Sequence, residues 1–197
     1  MKKNKIKVFD GFGRIKHDKT VEITNDKESF EISAKNIIVS TGARSRDIES
    51  LKKDGKKIFG YRDAMTLEEQ PKEMVIVGSG AIGIEFAYFY NALGTNVTVV
   101  EFQNEIAPNE DHDISKELEK ILKKKGINIL TNSKVVSSKI VDNKVKVDIE
   151  SNDKTSTIDC DAILSAVGIK SNIENIGLEE LGVKIESDKV IVNEYYK

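Results

Sequence analysis

The sequence has no tryptophan, one cysteine, two prolines and two histidines in 197 residues. A single thiol cannot close an intrachain disulfide, which excludes a secreted disulfide scaffold, and one cysteine also excludes a cysteine-rich zinc framework. His17 and His112 match no metal-ligand spacing, and no metal site is expected. No apolar run nears the roughly 18 residues that span a bilayer, so no membrane span is expected. Neither sign of charge dominates: 31 Lys and Arg face 33 Asp and Glu. Bulk electrostatics therefore gives no pull toward nucleic acid. The basic start Met1-Lys2-Lys3-Asn4-Lys5 lacks the apolar stretch and cleavage site of a signal peptide, and the expected location is cytoplasmic. What is present, 39% hydrophobic and 32% charged residues, suits a globular fold of one or two domains.

Hydropathy patterning divides the chain. Residues 1 to about 60 predict short strands over Ile6–Phe9, Thr20–Thr24, Ser29–Ser33 and Ile37–Ser40, separated by Gly, Asn, Asp and Lys clusters. After Pro71, the unbroken apolar run Met74-Val75-Ile76-Val77 predicts a parallel strand buried on both faces. A helix is predicted over Ala81–Leu93, stopped by Gly94, and then a second buried strand over Val97–Val100. A further helix is predicted over Asp113–Lys125, with Ile114, Leu118, Ile121 and Leu122 as its apolar face. Ile127–Leu130 follows as a parallel strand. Val135–Val141, Lys144–Glu150 and Thr155–Asp159 predict an antiparallel meander turning at Asp142-Asn143, and Ala162–Val167 another buried strand.

The chemical signal is Gly78-Ser79-Gly80-Ala81-Ile82-Gly83, a G-x-G-x-x-G between a predicted strand and a predicted helix. Glu101 ends the next strand, 18 residues after Gly83. That context is a dinucleotide-binding fingerprint. Gly78 allows the turn off the strand, Gly80 lets a pyrophosphate approach the backbone, and Gly83 lets the helix pack closely. The helix start offers N–H groups and a positive dipole end to that pyrophosphate. Glu101 can accept hydrogen bonds from the adenosine ribose and would repel a 2′-phosphate, which favours NAD over NADP. Phe102-Gln103-Asn104 supplies no cation to reverse that preference. Two further strands run into glycine, at Thr41-Gly42-Ala43 and at Val167-Gly168.

The order of these segments resembles the central part of the flavin-dependent pyridine nucleotide–disulfide oxidoreductases, and most closely the branch that oxidises dihydrolipoamide. The matching runs are Gly11–Ile15, Ile37–Ala43, Val75–Glu85, Val97–Phe102, Asp113–Lys116, Asp161–Gly168 and Asn175–Val183. The resemblance implies an α/β fold. Its core would be a Rossmann-like, three-layer NAD-binding domain, a parallel sheet plus an antiparallel β-meander, beside a partial, strand-rich flavin-domain segment. Residues 1–70 would belong to the flavin domain, 71–190 to the NAD domain, and 191–197 to the return into the flavin domain. It implies NAD contacts from Gly78, Ser79, Gly80, Ala81, Ile82, Gly83, Glu85, Glu101, Val135 and Gly168, with Glu85 toward the nicotinamide–flavin boundary. It implies FAD contacts from Gly13, Thr41, Gly42 and Ala43.

The reaction implied for that branch takes electrons from dihydrolipoamide through a redox-active disulfide and FAD to NAD. Its partners would be a lipoyl domain of a 2-oxoacid dehydrogenase or glycine cleavage complex. The redox cysteine pair, the first flavin fingerprint, the later Gly-Asp flavin motif and the acid–base His–Glu pair have no counterpart here. Cys160, the one thiol, is expected to be a buried structural residue. The sequence is therefore expected to be a monomeric piece of such an enzyme, catalytically inactive alone, binding NAD weakly and retaining little FAD. Two alternatives stand beside it: a non-catalytic NAD-binding or redox-sensing module, and a piece of another disulfide reductase.

Overall fold

The computed structural model describes the backbone of residues 1–197 and every side chain except that of Asp18. It divides into two compact units, Met1–Arg44 with Lys170–Lys197, and Ser45–Ile169.

In the first unit, β1 (Phe12–Lys16), β2 (Thr20–Thr24) and β3 (Ser29–Ser33) form an antiparallel sheet in that order. The register sets Ile15 opposite Val21, Val21 opposite Ile32, and Ile23 opposite Phe30. With a side-chain period of two, these residues share one face. The Ile15 N–H donates to the Ile176 carbonyl at 2.8 Å. The adjacent Gly177 has φ +89°, and a Cβ there would lie 2.0 Å from the Ile15 carbonyl oxygen, so only glycine fits. Arg44 grips Glu174 through its two terminal guanidinium nitrogens, at 3.1 and 2.5 Å. Hydrogen bonds from Arg44 and then Lys170 hold the Glu174 carboxyl at about 2.

The second unit is built on a five-stranded parallel sheet of order β4-β11-β5-β6-β7. The strands are β4 (Ile58–Phe59), β5 (Glu73–Val77), β6 (Asn96–Val100), β7 (Asn128–Leu130) and β11 (Ala162–Ser165). Helices α1 (Ala81–Ala92) and α2 (His112–Lys124) connect β5 to β6 and β6 to β7. Between β7 and β11 runs the antiparallel meander β8 (Ser133–Val141), β9 (Lys144–Ser151) and β10 (Lys154–Cys160). The alternation along β5 shows why its sequence is apolar throughout. Met74 and Ile76 pack with Ala87 and Tyr90 of α1 and Leu122 of α2. Val75 and Val77 pack with Val145, Val147 and Ile149 of the meander. The sheet is thus the middle of three layers, as expected, and each fully buried Val or Ile contributes roughly 1.5–3 kcal/mol.

Several expected elements differ. Ile6–Phe9 and Ile37–Ser40 are not strands. Among the described residues neither is paired in a sheet, and Ile38 is 89% exposed. An apolar run becomes a strand only where a neighbour satisfies its backbone groups and covers its side chains. β1 and the two-residue β4 were not expected as strands at all. In α2 the buried face runs through Ser115, Leu118 and Leu122, while Ile114 and Ile121 are 59% and 44% exposed. By packing, residues 45–70 go with the parallel sheet, and 170–190 with the first unit.

Two residues next to β11 fix its start. Cys160 is fully buried with its thiol on the Val145 carbonyl, and burial pushes it up to about 11. The Asp161 carboxylate accepts the Glu73 and Lys72 N–H groups at 2.9 and 3.0 Å, while its own N–H donates to the Glu73 carbonyl. The Glu73 and Lys72 N–H groups hold Asp161 below the usual carboxylate range. Such a group adds stability above its ordinary value of 3.8 and loses it as pH falls through the folded one. Asp161→Ala should cost about 1–3 kcal/mol at pH 7, from two donors left without an acceptor. Urea unfolding should show that deficit shrinking as pH drops toward the folded carboxyl's range; a deficit constant from pH 7 to pH 2 would contradict this account.

Candidate functional site

Strand order reverses at β5, with β6 and β7 to one side and β11 and β4 to the other. In open parallel sheets, ligands bind at the carboxyl ends of the strands beside such a reversal. Here the chain leaves β5 through Gly78, at φ +98°. A Cβ on Gly78 would lie 2.5 Å from the Ala166 carbonyl oxygen just beyond β11, and one on Gly83 would lie 2.0 Å from the Gly78 carbonyl oxygen. Both glycines are demanded by the protein's own packing. Gly80 is different. Its φ of −66° suits any residue, and a Cβ there would meet no protein atom within 4 Å. The space above Gly80 is open.

The open space faces the start of α1. Gly80 is the N-cap, no side chain caps it, and the first turn carries no acidic residue. In α2 the Asp111 carboxylate accepts the Asp113 N–H at 2.9 Å. The first-turn N–H groups of α1, at Ala81, Ile82 and Gly83, therefore have no such side-chain acceptor and point along a positive dipole end. A diphosphate fits that combination of open room, donors and partial charge.

Glu101 follows β6 and is only 7% exposed. Its Oε2 accepts both the Ser79 N–H, at 2.8 Å, and the Ser79 Oγ–H, at 2.5 Å. Its Oε1 accepts the Gln103 N–H at 2.8 Å. The Ser79 carbonyl in turn accepts the Ala107 N–H at 3.0 Å, and the buried Ser115 hydroxyl donates to the Ala107 carbonyl at 3.2 Å. The glycine turn, the end of β6 and the loop entering α2 are thereby one hydrogen-bonded assembly. Ala107 sits at φ +46° within it. Gln103, Ala107 and Ser115 are not candidate site residues by sequence. Their contributions are largely backbone bonds and one interior hydroxyl, which carry no motif.

The structure brings Val135 near this assembly. It is buried in β8, two residues after Ser133, whose N–H donates to the Glu101 carbonyl at 2.9 Å. Glu85 is exposed on α1, one turn past Ala81. Gly168, at φ +120°, is exposed beyond β11, and its carbonyl accepts the Arg46 N–H at 2.9 Å. Ser165, at the end of β11, is buried with no hydrogen-bond partner for its hydroxyl among the described residues. The flavin candidates lie in the first unit on separate elements. Gly13 is in β1, where a Cβ would make an ordinary contact with Val21. Thr41 and Gly42 precede the three-residue strand Ala43–Ser45, and their carbonyls accept from Asn172, at 3.1 and 2.9 Å. A cavity of about 760 Å³ lies at the opposite end of the parallel strands, lined by Phe59, Pro71, Lys144, Asp161 and neighbours of both charges. It lacks the glycine turn, and the one helix start beside it, at Tyr61, is closed by the Asp63 carboxylate accepting the Gly60 N–H at 3.2 Å.

Pyridine nucleotide-disulphide oxidoreductases match this chain over residues 1–197. A dihydrolipoyl dehydrogenase of Rhizobium etli is 39% identical across all of the chain and 44% of its own length. One from Bacillus subtilis is 37% identical over 98% of the chain and 43% of its own length. Among solved structures, LpdA from Mycobacterium tuberculosis superposes with TM-score 0.82 at 28% identity, covering 93% of this chain and 41% of that one. The HOCl-induced flavoprotein disulfide reductase RclA from Escherichia coli gives 0.80 at 25% identity, covering 95% and 42%. The chain thus spans less than half the length of these relatives.

Gly83 and Gly80 should separate in unfolding experiments. Gly83→Ala should lower stability by at least about 2 kcal/mol, because overpacking against backbone cannot be relieved by a rotamer change. Gly80→Ala should stay within about 1 kcal/mol of the parent. Equal losses for the two in chemical denaturation would refute the packing argument.

Proposed function

The chain belongs to the pyridine nucleotide–disulphide oxidoreductase family, and on that premise we propose that it is the NAD(H)-binding middle portion of a dihydrolipoyl dehydrogenase. One observation carries the NAD assignment. Gly80 is the fingerprint glycine that the protein's own packing does not require, and it opens onto uncapped N–H groups. A glycine where an added Cβ would meet no atom beyond its chain neighbours within 4 Å fits a bound diphosphate. Glu101, buried beside it, takes the adenosine ribose and disfavours a 2′-phosphate by charge. Ala81, Ile82 and Gly83 complete the diphosphate cradle, with Ser79 buried in the NAD site beneath it and tied to Glu101, Val135 lines the adenosine side, and Glu85 and Gly168 lie toward the nicotinamide.

In the whole enzyme NAD supplies the hydride acceptor and FAD the relay to a dithiol. This chain's part is to hold and orient the dinucleotide, and Gly13, Thr41, Gly42 and Ala43 would lend contacts to FAD. By sequence resemblance the cofactor division runs 1–70 flavin, 71–190 NAD and 191–197 flavin, whereas by packing 45–70 go with the parallel sheet and 170–190 with the first unit. The exposed apolar residues Ile6, Val8 and Ile38 are the surface that the rest of a flavin domain would cover. The dithiol chemistry needs two cysteines, and these 197 residues hold only Cys160, buried and raised. Taken alone they are inactive, monomeric and retain little FAD. The lipoyl domain of a 2-oxoacid dehydrogenase or glycine cleavage complex is the partner of the whole protein. The preference for this branch over other disulfide reductases rests on the identity to dihydrolipoyl dehydrogenases along the full chain.

Calorimetric titration should show NAD binding at least about tenfold tighter than NADP. Gly80→Ala should weaken NAD by at least about tenfold while its thermal midpoint stays near the parent's. Stoichiometric NADP binding as tight as NAD, or a Gly80→Ala protein that binds like the parent, would overturn the assignment. Purified chain carrying stoichiometric FAD would overturn the flavin part.

A further inference from the structure

We propose that the Ser79 hydroxyl is a positioning residue for ribose recognition: by occupying Glu101 Oε2, it restricts the carboxylate to a single adenosine ribose hydroxyl. The inference rests on the NAD assignment above and goes beyond it, because it predicts how the ribose is read.

A carboxylate offers about four acceptor positions, two on each oxygen. Oε2 has both filled from the same residue, by the Ser79 N–H at 2.8 Å and the Ser79 Oγ–H at 2.5 Å. Oε1 has one filled, by the Gln103 N–H at 2.8 Å. One position remains, on Oε1. Ser79 itself is in no position to yield. It is fully buried, and its carbonyl is held by the Ala107 N–H at 3.0 Å, with Ala107 backed by Ser115. The backbone of residue 79 is therefore fixed from both sides, and its hydroxyl has the Glu101 carboxylate as its partner. A ribose presents two neighbouring hydroxyls, at 2′ and 3′. An unencumbered carboxylate can take both, one on each oxygen. Here the first donor into Oε2 comes from the protein, so one ribose hydroxyl finds an acceptor on Glu101 and the other does not.

Removing the Ser79 hydroxyl would free one position on Oε2 while leaving the Ser79 and Gln103 N–H groups in place. The second ribose hydroxyl could then engage. The readout is a pattern of selectivity, which a purely structural role for Ser79 would not move.

The test titrates the full 197-residue chain with NAD and with its 2′-deoxy- and 3′-deoxyadenosine analogues. In the parent, one analogue should bind about tenfold weaker than NAD and the other within about twofold. In Ser79→Ala, both analogues should bind several-fold weaker than that variant binds NAD. Ser79→Gly, which keeps the same N–H, serves as a second variant if the alanine chain misfolds by circular dichroism. Ser79→Ala combined with Glu101→Ala should erase all discrimination between the three ligands. If the parent penalises both analogues equally, or if the hydroxyl-free variants keep the parent's one-sided pattern, Ser79 does not restrict Glu101. If the parent binds NAD and both analogues with the same affinity, Glu101 does not read the ribose, and this inference falls with that part of the assignment. If no ligand binds, the NAD assignment itself falls and takes the inference with it.

Discussion

The architecture of the second unit depends on how closely three stretches of backbone meet at the carboxyl end of the parallel sheet. Gly78 leaves β5, Gly83 begins to turn in α1, and Ala166 leaves β11, with no room for an extra carbon between them. That contact seats α1 with its axis rising from the reversal of strand order. It exposes the helix start without a cap. Because β11 flanks β5, it also joins an early strand of the parallel sheet to the last strand of that sheet, across the inserted meander. A side chain at Gly78 or Gly83 would not only crowd the turn; it would lift the helix from the sheet.

The second constraint is polar. Glu101 is a buried carboxylate, and burying one without partners is costly. Its three donors come from the glycine turn and from the residues just after β6. The turn's shape and the placement of the carboxylate are consequently set together. The loop that carries Ala107 at a positive φ is tied to the same serine, so the segment entering α2 shares the arrangement. An assembly results whose members hold one another through the protein's own hydrogen bonds.

Much of this was legible in the sequence where a single rule dominates. The runs Met74–Val77 and Val97–Val100 are apolar at every or nearly every position because both sheet faces are covered, and β5 and β6 form there. Gly94 and Gly126 stop the helices with positive φ. Gly78, Gly83 and Glu101 occupy the places their spacing suggested. The misses share a cause: tertiary surroundings outweighed local pattern. Ile37–Ser40 has a strand's composition but no neighbouring strand among the described residues. Phe12–Lys16 has a weaker pattern and becomes a strand because Thr20–Thr24 lies alongside. Helix α2 shows four apolar residues at helical spacing, yet its register turns Ser115 inward to reach Ala107 and leaves Ile114 and Ile121 outside. A hydroxyl's interior partner outranked two methyl-rich side chains, which no hydropathy rule foresees.

Cys160 carries a consequence of a different kind. Its sulfur is enclosed between the parallel sheet and the meander, and its proton is held to about 11. In a molecule assigned to a lineage that exchanges electrons through sulfur, this thiol is electrochemically silent at neutral pH: too little of it ionises to attack a passing disulfide. Its chemistry becomes available only when the two layers part. The side chain is thus a built-in reporter, whose rate of alkylation counts the openings of the core around it.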